Sequence, residues 1–268
     1  MSAEQPTATY THGHAAPVLQ SHRWRTVENS AAYLIGELRP DVSVLDVGCG
    51  PGTITADLAA RVAPGPVLGI DPAAEVIDAA ARDHHAEHLT FQAADVHDLD
   101  SGEERFDVVH AHQVLQHVAD PVATIAAMRD LCRPGGVVAA RDADYAAMTW
   151  WPDVAGLHEW LAIYRTVARA GGGEPDAGRR LKSWALAAGF ETVTATASTW
   201  CFTEPEDREW WSATWAERIT SSRLASRAVE IGAATPADLE RCADAWHEWA
   251  AAADAWFLVP HGEVLARG

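Results

Sequence analysis

Residues 42–52 read VSVLDVGCGPG, a β-branched run that ends in an acid and three glycines spaced G-x-G-x-G. A strand that stops in alternating glycines brings bare backbone up to a ligand, because no Cβ stands in the way. In a dinucleotide-binding fold the spacing is G-x-G-x-x-G, and a pyrophosphate sits on the N-terminus of the next helix. Here Asp46 stands two residues ahead of Gly48 and would repel a diphosphate. Such an acid suits a positively charged amino group, met directly or through water. Gly48, Gly50 and Gly52 therefore predict a ligand cradle between a strand and a helix whose apolar positions recur at Ile54, Leu58 and Val62.

The following stretch repeats that strand–helix alternation. Short apolar runs at 66–70, 89–94, 106–111 and 137–140 predict further strands. Pro72 and Pro121 stand where helices open, and Arg133-Pro134-Gly135-Gly136 closes the second of these after Cys132. This pattern predicts an α/β, Rossmann-like doubly wound sheet. Asp71 ends the second strand, where a carboxylate can accept two hydrogen bonds from a ribose diol. Ala94-Asp95-Val96 follows the third strand. There a carboxylate can accept from an adenine amino group while the valine packs on the ring. An acid at a strand end taken singly is often a helix cap; the three signals in order and at this spacing are far more specific.

The segments VLDVGCGPGT, GID, AADVHDL, FDVVHAHQVLQHVADP and RPGG resemble the successive motifs of class I S-adenosylmethionine (SAM)-dependent methyltransferases, over roughly residues 25–145. The resemblance implies a seven-stranded sheet whose last strand is antiparallel, and SAM as cofactor. It also implies that Gly48, Gly50 and Gly52 line the methionyl part, that Asp71 holds the ribose, and that Asp95 with Val96 holds the adenine. Thr55 and His112 match positions that touch the methionyl end or ribose in the branch containing quinone-biosynthesis methyltransferases. The segments diagnostic of the quinone enzymes themselves are absent, so their substrate does not carry over.

Methyl transfer from a sulfonium asks mainly for a nucleophile held in line, and for a base only if that nucleophile must lose a proton. His110, His112, Gln113 and His117 cluster at the end of the fourth strand. His112 is the residue expected to touch the cofactor, and is the candidate base. His110 is expected to point into the sheet and His117 to be a loop residue. Gln113 is a candidate acceptor contact. Upstream, the segment Tyr10-Thr11-His12-Gly13-His14 is, by the same resemblance, expected to fold over the site, anchored by a helix over 27–38. Tyr10 is then a candidate active-site residue and Arg25 a candidate for the methionyl carboxylate.

Eleven of the twelve tryptophans lie after residue 149. Those at 210, 211, 215, 246 and 249 recur at helical spacing and read mostly as packing. Tyr145, Trp150 and Trp151 follow the fifth strand and are the candidate wall of an acceptor pocket for an aromatic or heteroaromatic, indole- or phenol-like, metabolite. The chain reads as one domain: an arm (1–26), a cofactor core (27–150) and a C-terminal part (151–268). A helical lid over about 205–254 is expected, broken near Gly232 and Pro236, ahead of a strand over 256–259.

A net charge of −18 argues against a polyphosphate partner and gives no support for docking on an anionic membrane. The four cysteines form no C-x-x-C pair, so a reduced, cytoplasmic protein without structural zinc is expected, as a monomer or homodimer acting on a small molecule. An oxidoreductase on a related fold and a catalytically silent SAM-binding protein are the competing readings. The first expects the dinucleotide glycine spacing, and nothing in the cofactor motifs recommends the second.

Overall fold

The computed structural model of the chain describes residues 24–100, 102 and 105–268. Tyr10 and the rest of the predicted arm segment 10–14 lie outside the described residues. Val44–Val47 (β1) is buried at all four positions, as a strand covered on both faces requires. It pairs in parallel with Val67–Asp71 (β2) on one side and with Phe106–His112 (β4) on the other. Outside these, β2 pairs with Leu89–Ala93 (β3), and β4 pairs with Cys132–Ala143 (β5), again in parallel. Trp256–Arg267 (β8) lies antiparallel to β5, and Thr192–Phe202 (β7) covers the far edge of β8.

The doubly wound sheet with an antiparallel final strand is therefore present, with eight strands among the described residues where seven were expected. The additional strand is Thr149–Trp151 (β6), which pairs with residues 256–258 of β8. Because β7 occupies one edge of β8 from 257 to 267, β6 and β5 share the other. The chain leaves β5, makes a short 3₁₀ turn at Tyr145–Ala147, and resumes pairing further along the same edge. β8 is also far longer than the expected 256–259.

Between the strands lie Thr53–Val62 (α2), Ala74–Asp83 (α3) and Pro121–Leu131 (α4). Asp120 caps α4 by accepting from Ala123 N–H, and Pro121 takes the first turn, where no N–H is needed. The single anchoring helix expected over 27–38 is instead Val27–Ser30 (α1) followed by a 3₁₀ turn at Ala32–Glu37. Ser30 Oγ donates to Asn29 Oδ1 at 2.7 Å, and Asn29 also closes a reciprocal cap with Thr26. Such local side-chain bonding competes with helix continuation.

The C-terminal part contributes Ala155–Ala170 (α5), Leu181–Ala187 (α6), Pro205–Ser221 (α7), Arg223–Glu230 (α8) and Pro236–Ala251 (α9). A break at Ser222 was not foreseen. Its hydroxyl donates to Arg218 O at 2.7 Å and accepts from Leu224 N–H at 3.1 Å, ending one helix and capping the next. Trp160 sits at the centre of this region, edge-on to Trp215 and Trp246 at 4.6 and 4.8 Å. Most of the tryptophans are thus packing, as their spacing indicated. No helix among the described residues is long and apolar enough to cross a membrane.

Candidate functional site

A cavity of about 640 Å³ opens at the carboxyl ends of the parallel strands, within the ~300–1,000 Å³ usual for small-molecule sites. Parallel strands all end on this side, so the loops that follow them converge there. The cavity has two halves of different chemistry.

The first half is built by the loops after β1, β2 and β3. Gly48 and Gly50 line it with φ of 67° and 55°, in the left-handed region where a side chain is strained. A Cβ on Gly48 would come within 2.5 Å of Val114 Cγ2, so the bare backbone is what lets the next loop close over it. Asp71 faces the same space while accepting from Gly50 N–H at 3.2 Å and Ala73 N–H at 2.9 Å. The carboxylate therefore fixes the glycine turn relative to β2. Ala94, Asp95 and Val96 also line the cavity, with Asp95 held by His97 N–H at 2.9 Å and Val96 buried.

Two predicted contacts, Thr55 and Gly52, stand outside the lining, while Asp46 lines the cavity and also braces its floor. Asp46 reaches the cavity wall, but its oxygens are already engaged, accepting from Thr55 Oγ1 at 2.6 Å and pairing with His110 Nδ1 at 2.8 Å. Thr55 spends its hydroxyl on that bond and is fully buried outside the lining. Gly52 also stands outside the lining; it starts α2 at φ 80°, and a Cβ there would strike Phe91 at 2.8 Å. The Asp46–Thr55–His110 cluster thus ties β1, α2 and β4 together under the glycine turn. His110 points into the sheet as expected.

The second half is walled by Trp24, Tyr145, Met148, Trp200, Trp211 and Trp215. Trp24 packs edge-on to Trp200 at 5.2 Å, and Trp200 Nε1–H donates to Asn29 O at 2.6 Å, so α1 is pinned against β7. Tyr145 lines this half as predicted, stacked on Tyr164 at 4.1 Å. Trp150 and Trp151 do not. They lie on β6, where Trp150 stacks on Phe257 at 5.6 Å and Trp151 is 57% exposed, its Nε1–H on Asp254 Oδ2 at 2.9 Å. Pairing with β8 carries both away from the cavity mouth.

His112 stands at the junction of the halves, at the last residue of β4. It is buried, and neither ring nitrogen finds a hydrogen-bond partner among the described residues. Burial, then the charges of Arg141 and Arg25, hold its pKa well below the ordinary histidine value. The ring is therefore neutral, a hydrogen-bonding group and a weak base. Gln113 beside it adopts φ 54° and sets its amide 2.9 Å from His261 Nε2, while His261 Nδ1 lies 2.8 Å from Val259 O. Because that carbonyl can only accept, His261 Nδ1 carries the proton and Gln113 Nε2 donates to the other nitrogen. Its amide oxygen is left for the cavity that Gln113 lines.

Arg25 lines the cavity with its guanidinium 5.5 Å over the Trp200 ring. His117, expected to be only a loop residue, lines it too, its pKa pushed down to about 3 by burial and then by Arg25 and Arg218. The sequence reasoning missed Trp24, Trp200, Arg218 and His261. For Arg218 a signal existed: Trp211, Trp215 and Arg218 follow i, i+4, i+7 spacing, so one face of α7 presents all three to the cavity.

Comparison with known proteins agrees with this fold. Residues 38–189 match a family model described as a methyltransferase domain. An uncharacterized methyltransferase of Schizosaccharomyces pombe is 30% identical over 99% of this chain and 98% of its own length. In fold, the chain resembles a cyclopropane synthase of Mycobacterium tuberculosis (TM-score 0.54, 16% identity, covering 88% of this chain and 82% of that one). It also resembles phosphoethanolamine N-methyltransferase 2 of Haemonchus contortus, solved with phosphomonomethylethanolamine and S-adenosylhomocysteine (TM-score 0.54, 16% identity, covering 88% and 51%).

Proposed function

As this chain belongs to the class I SAM-dependent methyltransferases, we propose that the glycine-lined half of its cavity seats the cofactor and the tryptophan-walled half seats a small aromatic or heteroaromatic acceptor. The observation that carries this reading is one continuous cavity joining the two, with His112 between them, its ring nitrogens without a hydrogen-bond partner among the described residues.

The residues present fit the cofactor. Bare backbone at Gly48 and Gly50 leaves room for the methionyl tail, and Arg25 supplies the counter-charge for its carboxylate. Asp71 has a carboxylate already oriented by two backbone N–H groups, suited to a ribose diol. Asp95 and Val96 are suited to adenine, one by accepting a hydrogen bond and the other by packing. When bound, SAM supplies a methyl carbon on a positive sulfur: the acceptor's electron pair forms the new bond to carbon, and the broken C–S pair stays on sulfur.

The protein's part is then positioning and exclusion of water. Burial favours the neutral ring of His112, which suits it to orient an acceptor by hydrogen bonding. Gln113, its amide fixed by His261, offers a carbonyl oxygen to an acceptor hydroxyl or N–H. Helix α7 roofs the acceptor half through Trp211 and Trp215, which supports the segment 205–254 as a lid and residues 151–268 as the acceptor-binding part of a single domain.

Isothermal titration tests the reading. SAM and S-adenosylhomocysteine (SAH) are expected to bind and NAD is not; binding of NAD with no binding of SAH overturns it.

A further inference from the structure

Gln113 follows β4 directly and is held through both its main chain and its side chain. Its N–H donates to Arg141 O at 2.7 Å, and its φ of 54° lies in the left-handed region that a residue with a Cβ seldom adopts. Residues kept in such conformations by their surroundings cluster at ligand sites. The side chain reaches β8, where its amide lies 2.9 Å from His261 Nε2.

The state of His261 determines which end of the amide meets it. The ring is 1% exposed, packed against Trp200 at 4.4 Å and stacked with His112 at 6.2 Å. Its Nδ1 lies 2.8 Å from Val259 O, and a carbonyl only accepts, so Nδ1 carries a proton. A second proton, on Nε2, would make the ring a buried cation. Burial opposes that first and the charge of Arg141 next, so the ring is neutral and Nε2 is an acceptor. Only the –NH₂ end of an amide can meet an acceptor. The two ends of the planar group point apart, so the oxygen faces away from His261. Gln113 lines the cavity and His261 does not, which makes the oxygen the end presented to a ligand. A glutamine without such an anchor could turn either end to the ligand; here Val259 O fixes the choice through one imidazole.

We infer that the protein selects acceptors carrying a hydrogen-bond donor, an O–H or N–H, and that His261 is the positioning residue behind that choice, holding the Gln113 amide nitrogen and so leaving its oxygen toward the acceptor half. This rests on the two-halved reading of the cavity and deepens it. A ligand that placed an ether or ring oxygen there would set two acceptors against each other in a half-buried site, and neither would regain the hydrogen bond it had in water. An amide oxygen accepts without taking the proton, so Gln113 chooses and orients the acceptor and has no part in proton removal.

Calorimetric titration of the SAH-saturated protein with near-isosteric probes tests the inference: indole against benzofuran, and 2-naphthol against 2-fluoronaphthalene. At least one donor is expected to bind about tenfold tighter than its partner, the loss that follows when a buried acceptor is left unpaired. That preference is expected to vanish in Gln113→Leu and to fall most of the way in His261→Phe, with no further loss in the double variant. Gln113→Glu in the His261→Phe background is expected to restore it, because both carboxylate atoms accept whichever way the group turns. A merely structural role for His261 would not be rescued in this way. Retained affinity for SAH certifies the fold of each variant. Equal binding of both members in every pair, or tighter binding of the probes without a donor, overturns the inference, as does a preference that survives in His261→Phe. If that variant fails to fold, long-range ¹H–¹⁵N correlation on the wild type decides: His261 is expected as the Nδ1–H tautomer, and the Nε2–H tautomer or a doubly protonated ring overturns the assignment. Binding of no probe at all falls on the acceptor half itself and takes the inference with it, whereas failure of SAH to bind falls on the cofactor assignment.

Discussion

Asp71 has two roles that one substitution can separate. Its Oδ2 accepts from Gly50 N–H at 3.2 Å and its Oδ1 from Ala73 N–H at 2.9 Å, so it braces the glycine turn. In the proposed complex it also accepts from the ribose hydroxyls. Asp71→Ala leaves two backbone donors to solvent, which costs about 1–2 kcal/mol of stability because the site is only half-buried and water reaches it. Loss of a charged acceptor from the sugar costs about 1–3 kcal/mol of binding, roughly 5- to 150-fold in the dissociation constant. The assay is titration calorimetry with SAH and with its 2′-deoxy analogue, on the wild type and the variant. If Asp71 grips the diol, the two losses overlap: the analogue binds the variant little worse than it binds the wild type. Additive losses would show that Asp71 acts only through the glycine turn, and unchanged SAH affinity would remove it from the site altogether.

Gly48→Ala is expected to cost about 1–3 kcal/mol from its positive φ and to clash with Val114; Val114→Ala should recover only the clash, and Gly36→Ala, where a Cβ meets nothing within 4 Å, serves as the neutral control in thermal melts. Trp151→Ala is expected to change stability by only about 0.5 kcal/mol and to leave methyl transfer intact, whereas Trp200→Ala should cost about 3–5 kcal/mol and abolish transfer; the reverse order would contradict the placement of the acceptor half. His117, with its folded pKa at about 3, takes no proton between pH 6.5 and 5 while the unfolded chain does, so stability falls on acidification by about 2 kcal/mol through this group alone. His112 and His261 act in the same direction, and Asp142, raised to about 7 by burial, opposes them because it gains its proton in the folded state first. Denaturant melts of His117→Gln are expected to show a shallower loss over that pH range; an identical slope would refute the assignment.

The cofactor half was far more legible in the sequence than the acceptor half. Gly48, Gly50, Asp71 and Asp95 lie within a few residues of strand ends, so strand periodicity alone brings them to one edge of the sheet. Thr55 and Gly52 misled because sequence order says that they follow the turn but not that α2 rotates Thr55 onto Asp46 and Gly52 onto Phe91. The acceptor half is assembled from the segment before α1, the turn after β5, β7, α7 and β8, elements far apart along the chain. Trp150 and Trp151 were expected at the pocket because they follow β5 directly. The pairing that draws them away, β6 with residues 256–258, connects positions about a hundred residues apart and has no local signature. Trp24 and Trp200 meet for the same nonlocal reason, and His261 lies on a strand read as ending at Val259. The spacing of Trp211, Trp215 and Arg218 was visible, but which face of α7 looks inward depends on packing against the other helices.

A crystal structure of the protein with SAH bears most directly on the central assignment. It should show adenine between Asp95 and Val96, the ribose hydroxyls on Asp71, and the amino-acid tail along Gly48 and Gly50, with the sulfur directed past His112 toward Trp200 and Trp215. SAH lodged among the tryptophans instead, or excluded from the glycine turn by protein side chains, would contradict it.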